Sequence, residues 1–279
     1  MTSPRARLRE LLRGPGLVVA PFAYDGLQAK LAEAAGFPAV YLTGFGTAAA
    51  HGRPDVGLLG LGEMLDGVRR LAGAVSVPLV CDADTGYGNA MNVWHTVREY
   101  EAAGAAALHI EDQVSPKRCG FLAGKQVIAL EEMLPKIRAA CAARRDPDFV
   151  VIARTDALAP HGWDEALRRA RAYRAAGADL VFMDGIRTPE DMRRYARELP
   201  EIPLVYNGKL PVADVAACGF KLMLQIATLL VAYEAMRAAL AELASTGEIA
   251  GAPALERLED MARLLGSDEL DSVGRRFSK

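Results

Sequence analysis

Short apolar runs alternate with longer stretches of helical period along most of the chain. The runs are Leu17–Ala20, Ala39–Leu42, Leu79–Asp82, Ala107–Glu111, Phe149–Arg154, Leu180–Asp184, Leu204–Tyr206 and Lys221–Gln225. Runs apolar on both faces suit parallel strands covered on both sides, and the intervening stretches read as amphipathic helices. These are Tyr24–Ala35, Ala90–Ala103, Leu130–Arg144, Asp164–Ala176, Pro189–Leu199 and Val212–Cys218. Four helices close on Ala35-Gly36, Ala103-Gly104, Ala176-Gly177 and Cys218-Gly219, each before an even-numbered strand. Glycine is the usual residue just past a helix end, so the pairs mark a weak internal repeat. Pro78, Pro147 and Pro203 introduce strands three, five and seven. Eight strands in this alternation predict an α/β chain, a (β/α)8 TIM barrel. Two further helices, Ala227–Ser245 and Ala254–Leu265, follow the last strand, and the charged stretch Ser267–Lys279 is expected to fray. The expected division is a barrel over residues 1–245 and a helical extension over residues 246–279.

In such a barrel the chemistry collects at the C-terminal strand ends. There the chain places Tyr24-Asp25, Thr43-Gly44-Phe45-Gly46, Asp82 and Asp84, Glu111, Arg154-Thr155-Asp156, Asp184, Asn207 and Gln225, a polar set after apolar strands. A Rossmann-like sheet is the alternative, but Gly44-Phe45-Gly46-Thr47 lacks the third glycine of the dinucleotide fingerprint. Asp82 and Asp84 stand two apart, so an extended strand would point both to one face, with Glu111 on the next strand converging on them. Gathered carboxylates repel unless a cation neutralises them, and an all-oxygen set favours Mg2+, with Mn2+ as the substitute, over Zn2+. The plainer reading is that the two aspartates cap the following turn and Glu111 lies at the surface.

Composition narrows the partners. Of 279 residues 51% are hydrophobic, and the net charge of -2 is spread without a basic block, which argues against nucleic acid and for a small-molecule ligand. No apolar run approaches the roughly 18 residues of a membrane span. The arginine-rich stretch Met1–Arg13 has no signal-like apolar segment behind it, so a soluble, cytoplasmic protein is expected. Cys81, Cys119, Cys141 and Cys218 lack paired spacing, which argues against a zinc or disulfide framework. Cys119 differs from the others: Lys117, Arg118 and Lys125 surround it in a glycine-containing loop, a setting that favours its thiolate. His51, His95, His109 and His161 show no partner pattern and read as structural.

The ordered set Asp82-Ala83-Asp84-Thr85-Gly86-Tyr87-Gly88-Asn89, Glu111-Asp112-Gln113, Lys117-Arg118-Cys119-Gly120 and Gly124-Lys125 resembles the isocitrate lyase / phosphoenolpyruvate mutase superfamily. Tyr41-Leu42-Thr43-Gly44, Arg53-Pro54-Asp55-Val56-Gly57-Leu58 and Ile152-Ala153-Arg154-Thr155-Asp156-Ala157 extend the likeness across residues 15–245. The resemblance implies a Mg2+-dependent barrel that makes or cleaves C–C bonds of malate-like or 2-oxo acids through an enolate. The runner-up is P–C chemistry, or the hydrolysis or decarboxylation of oxaloacetate-like acids, and a barrel that only binds a carboxylate is the alternative of another class. It implies that Asp82 and Asp84 hold the metal directly or through water, with Asp55 and Glu111 outside them. Tyr41, Thr43, Gly44, Phe45, Gly120, Phe121 and Asn207 would contact the small carboxylate substrate, and Arg154 would pair with it. Lys117 and Cys119 would descend with the loop, Cys119 as the acid that protonates the departing carbanion. A homotetramer that exchanges its C-terminal helices is also implied. The chain departs from the family at Phe121, where cleaving lyases carry histidine, and at Asp184, where glutamate is usual. The short stretch Asn207-Gly208-Lys209-Leu210-Pro211 lacks the usual Glu and Thr-Pro residues, so part of the distal substrate wall is missing.

Overall fold

Eight parallel strands close in chain order into one barrel in the computed structural model, which describes residues 2–278. They are β1 (Val18–Ala23), β2 (Val40–Leu42), β3 (Leu79–Asp82), β4 (Ala107–Glu111), β5 (Val150–Thr155), β6 (Leu180–Met183), β7 (Leu204–Gly208) and β8 (Leu222–Gln225). β1 closes the ring on β8 from Val18↔Leu222 to Pro21↔Gln225, then pairs with β2 at Phe22↔Tyr41. It runs past its expected end because Pro21, which has no N–H to give, falls where the strand changes partner.

The described residues form twelve helices: α1 (Pro4–Arg13), α2 (Gly26–Ala34), α3 (Gly44–Ala50), α4 (Leu61–Ala74), α5 (Ala90–Ala102), α6 (Leu130–Ala143), α7 (Leu158–Ala175), α8 (Pro189–Glu198), α9 (Val212–Ala217), α10 (Ala227–Thr246), α11 (Arg257–Leu264) and α12 (Ser267–Phe277). Gly162, at φ 78°, breaks α7 into a first turn and the helix expected from Asp164. Among the described residues no helix is long and apolar enough to cross a membrane.

Strand alternation divides the core in two. One parity (Ala20, Phe22, Val80, Ile152, Phe182, Val205) fills the barrel, and the other (Cys81, Leu108, Val151, Val181, Leu204, Met223) packs under the helices. Followed toward the strand ends, the inward parity turns polar, and so the mouth is the top layer of the interior. The opposite end is closed by α1, which was not expected from the arginine-rich start. Ser3 caps it, Pro4 begins it, Leu8 is fully buried against the interior, and Arg9 pairs with Asp179 at 2.7 Å.

The charged C-terminal stretch is helical from Ser267 to Phe277 rather than frayed, and Lys279 lies outside the described residues. Leu270, Val273 and Phe277 recur at helical spacing in α12, acids occupy its first turn and arginines its last, which suits the helix dipole. Neither α11 nor α12 buries a described residue, and α10 leaves Leu230, Tyr233, Met236 and Leu240 exposed.

Candidate active site

β3 stops at Asp82, and the next turn brings Asp84 beside it. Asp84 takes φ 45°, the left-handed region that aspartate tolerates better than most residues. The two carboxylates therefore meet through a turn and not, as expected, through the parity of one extended strand. Asp82 serves the turn and the site together: its Oδ1 accepts from the Asp84 N–H at 3.0 Å and its Oδ2 from the Gly44 N–H at 3.2 Å. A methyl group on Gly44 would lie 2.5 Å from Asp82 Oδ2 and 3.5 Å from Asp84 Oδ1, so only glycine lets α3 begin against both acids. Gly44→Ala is expected to push the carboxylates apart and, if they hold a divalent cation, to weaken its binding at least about tenfold, as loss of a supporting contact does; titration calorimetry with Mg2+ reads it.

Lys117 and Asp55 complete this half. The lysine ammonium lies 2.5 Å from Asp55 Oδ1 and 2.7 Å from Asp84 Oδ1. Below, His109 Nε2 is 2.8 Å from the Tyr41 hydroxyl and 3.6 Å from Asp82 Oδ1. Burial brings the His109 imidazole down to about 4 against the pull of Asp82, so the ring is neutral at neutral pH. It packs inside β4, as a structural histidine would.

The second half is built on Arg154. Its Nε and Nη2 each donate to Asp156 at 2.9 Å, Glu111 Oε2 lies 3.3 Å from Nε, and Asp184 Oδ1 lies 3.5 Å from Nη2. Asp156, held at about 2 by Arg154 and Lys125 in spite of its burial, is ionised. Its backbone N–H donates to Asp112 Oδ1 at 2.8 Å, and Asp112 Oδ2 accepts from Thr155, Tyr173 and Arg169. This buried network anchors the end of β5 from outside the barrel. Lys125 bridges Asp156 at 2.9 Å and Asp184 at 2.5 Å and donates to the Gly120 carbonyl at 3.1 Å.

Charge decides what the mouth lacks. Six buried carboxyl groups (Asp55, Asp82, Asp84, Glu111, Asp156, Asp184) face three buried cations (Lys117, Lys125, Arg154). Burial pushes Asp84 up to about 6 despite Lys117, and lifts Glu111 well above the carboxylate range despite Arg154. Asp82 is also penalised by burial, but His109, Lys117 and Arg154 outweigh that and leave it below its ordinary value. Glu111 Oε1 is buried without a hydrogen-bond partner. An excess of acid with an orphaned carboxyl oxygen fits a hydrated divalent cation. Among the described residues no three His, Cys, Asp or Glu side chains could together hold a metal ion. The donors gathered here are carboxylate oxygens, the ligand type that suits a hard ion such as Mg2+.

The loop between β4 and α6 lies closed over this centre. Gln113 clamps it, donating to the Arg118 carbonyl and accepting from the Arg118 N–H, while the Cys119 N–H donates to the Asp55 carbonyl at 3.0 Å. A methyl group on Gly120 would lie 2.6 Å from both Arg154 Nη2 and Asp184 Oδ1, so the loop backbone rests directly on that pair. Cys119 is buried, and burial pushes its thiol up to about 11 although the Phe121 N–H favours the thiolate. This corrects the expected thiolate: Lys117 and Lys125 are committed to carboxylates, and Arg118 is exposed.

Tyr41, Thr43, Phe45, Asp55, Asp82, Lys117, Cys119, Gly120, Phe121, Arg154 and Asn207 line one nearly filled cavity of about 30 Å3. Gly44 and Asp84 adjoin Asp55 in the neighbouring wall, and Glu111 lies against Arg154. Thr43 also caps α3, its Oγ1 accepting from the Gly46 N–H, so the glycine pair begins a helix and not a dinucleotide loop.

Residues 8–245 match the family described as phosphoenolpyruvate phosphomutase. The chain belongs to this family. Within it, the chain is 45% identical over 239 residues to a 2,3-dimethylmalate lyase of Eubacterium barkeri, with 83% of each chain covered. It superposes on a solved oxaloacetate acetylhydrolase bound to 3,3-difluorooxalacetate with a TM-score of 0.92 and 38% identity, covering 98% of this chain and 96% of that one. A phosphonopyruvate hydrolase solved with oxalate and Mg++ matches with a TM-score of 0.90 and 35% identity over 100% of both chains. The chain is thus an enzyme of the phosphoenolpyruvate mutase / isocitrate lyase superfamily.

The structure gives two further residues a place beside the loop. Lys125 follows the loop and ties it to β5 and β6; its charge was visible, its partners were not. Arg187, three residues past Asp184, donates to the Gly120 carbonyl at 2.9 Å and stacks 4.3 Å over Phe121, holding the loop from the other side. The one available signal was an arginine just beyond a strand end.

Proposed function

We propose that the chain is a Mg2+-dependent lyase that cleaves, or in reverse forms, the C2–C3 bond of a substituted malate-like 2-hydroxy diacid, with a 2-oxo acid as one product. The observation that carries this reading is Cys119, a buried neutral thiol lining the same closed cavity as Asp82 and Arg154. A carbanion needs a proton donor that stays protonated at neutral pH and is shielded from water, and this thiol meets both conditions.

Asp82 and Asp84 would hold the ion, directly or through water, with Asp55 and Glu111 outside them. Bound there, Mg2+ would supply the positive charge that stabilises oxyanion character at the reacting carbons. Arg154, fixed by Asp156 and Glu111, orients a substrate carboxylate. The 2-hydroxyl proton passes to the carboxylate cluster, the C2–C3 pair moves to C3 and is delocalised into its carboxylate, and Cys119 returns a proton to C3. The closed loop, pinned by Lys117, Lys125 and Arg187, keeps water from that enolate.

A hydrolytic reading on an oxaloacetate-like acid is favoured by the 0.92 TM-score to the acetylhydrolase, and it uses the same enolate. Incubation with Mg2+ and a panel of 2-hydroxy diacids, 2-oxo acids and phosphonates, followed by product NMR, separates the readings. Cleavage of the 2-hydroxy diacids supports the lyase, oxalate from oxaloacetate supports the hydrolase, and carboxylate binding without turnover supports a binding barrel.

The assembly that goes with this reading is a homotetramer formed through α10, α11 and α12, acting in the cytoplasm. The exposed apolar residues of α10 and the lack of buried residues in α11 and α12 give these helices a face larger than a solvated helix needs. Light scattering should give four times the 29.9 kDa chain mass; a sole 29.9 kDa species contradicts the assembly.

A further inference from the structure

Beside the polar centre lies a second, larger cavity of about 470 Å3, walled by Phe45, Phe121, Ile186, Leu210, Ile226 and Leu229. The two are continuous: Phe45, Phe121, Asn207 and Ile226 border both. The polar cavity holds only about 30 Å3 and the annex about 470 Å3, so the room for bulk beyond the polar centre lies on the annex side. Its volume falls in the ordinary range for small-molecule sites.

The walls specify what fits. Eight of the bordering side chains are hydrocarbon or aromatic and two are cations. Arg187 donates to the Gly120 carbonyl and stacks over the Phe121 ring, and Lys209 is exposed at the rim, so neither cation is set among the hydrocarbon walls. A third carboxylate lowered among Ile186, Leu210 and Leu229 would lose its hydration to hydrocarbon. A hydrocarbon group there gains with every methylene it buries. Phe121 borders both cavities, so the annex adjoins the cavity that Cys119 lines.

We infer that the annex is the subsite for a hydrocarbon substituent larger than methyl on C3 of the substrate, so that the preferred substrates are 3-alkyl or 3-aralkyl 2-hydroxy diacids and not tricarboxylates. The inference rests on the lyase reading for the position of the substituent and on the cavity walls for its chemistry.

The test uses the Mg2+-loaded enzyme and two series. In the first, kcat/KM is measured by product NMR for malate, 3-methylmalate, 3-propylmalate, 3-isobutylmalate and the tricarboxylate with a 3-carboxymethyl group. Expected is a rise of about fourfold per added methylene, with the tricarboxylate below 3-propylmalate. In the second, dissociation constants of unreactive 2-alkylsuccinates are measured by calorimetry, and the same slope is expected. Leu210→Gln should flatten both slopes, and Ile186→Ala provides a second variant should the first fold poorly. A chain-length slope in binding without turnover of any malate upholds the annex and sinks the lyase reading. Turnover with a flat series, or with the tricarboxylate preferred, overturns the annex and leaves the lyase reading standing.

Discussion

Asp82→Ala is expected to abolish turnover and Mg2+ binding while leaving the barrel folded. Removing the carboxylate takes one acid from the mouth and leaves the Gly44 and Asp84 N–H groups without their acceptors. Each orphaned donor costs about 1–3 kcal/mol if it stays dry, and water entering the vacated space reduces that. At about 2–4 °C per kcal/mol for a chain of this size, the thermal midpoint should fall by only several degrees. Asp84→Ala should be equally inactive but carries a backbone cost, because alanine must then hold φ 45° without the local polar side chain that suits that region. Asp84→Asn keeps the backbone and removes the charge, so it isolates the electrostatic part. EDTA should inactivate the wild type reversibly. Full activity in any of these variants removes the metal assignment.

How legible this site was depends on which rule placed each residue. Strand alternation placed most of them: Val80 and Asp82, Ile152 and Arg154, and Val205 and Asn207 each share an inward face, so an apolar run ending in a polar residue already described a filled barrel with a reactive mouth. The same rule failed at Asp84, which reaches the cluster by a left-handed turn that spacing alone does not reveal. Helix-end glycines fixed the repeat, whereas α1 was missed because its apolar face, Leu8 with Leu11 and Leu12, is short and interspersed with arginines. In α12 the charges that suggested fraying instead sit at the ends that stabilise a helix.

The loop was the hardest part to read, for a physical reason. Its cations look like an electropositive setting for Cys119 until their partners are known, and those partners come from β3, β5, β6 and the segment before α4. Burial outweighs the pull that Lys117 still exerts on the thiol and sets its acidity in the opposite direction. A proton donor and a nucleophile therefore share the same local sequence, and only the closed packing separates them.

Cys119→Ser tests that distinction. The serine hydroxyl fits the same space, and the backbone contacts that hold the loop, Cys119 N–H to Asp55 and Gly120 against Arg154, do not involve the sulfur. Substrate affinity should stay within a few-fold of the wild type. A hydroxyl is the weaker acid, so turnover should fall at least about a hundredfold, the usual scale for a positioned proton donor, while the enolate accumulates or exchanges. The pH dependence has a definite sign: the donor must be protonated, so its contribution is intact through the neutral range and is lost only as pH rises through about 11. A nucleophilic thiolate would give the reverse, with activity gained in that direction. Near-normal turnover by Cys119→Ser would mean that carbon protonation does not pass through this residue, and the P–C or hydrolytic reading, with Cys119 a bystander, would take the place of the lyase.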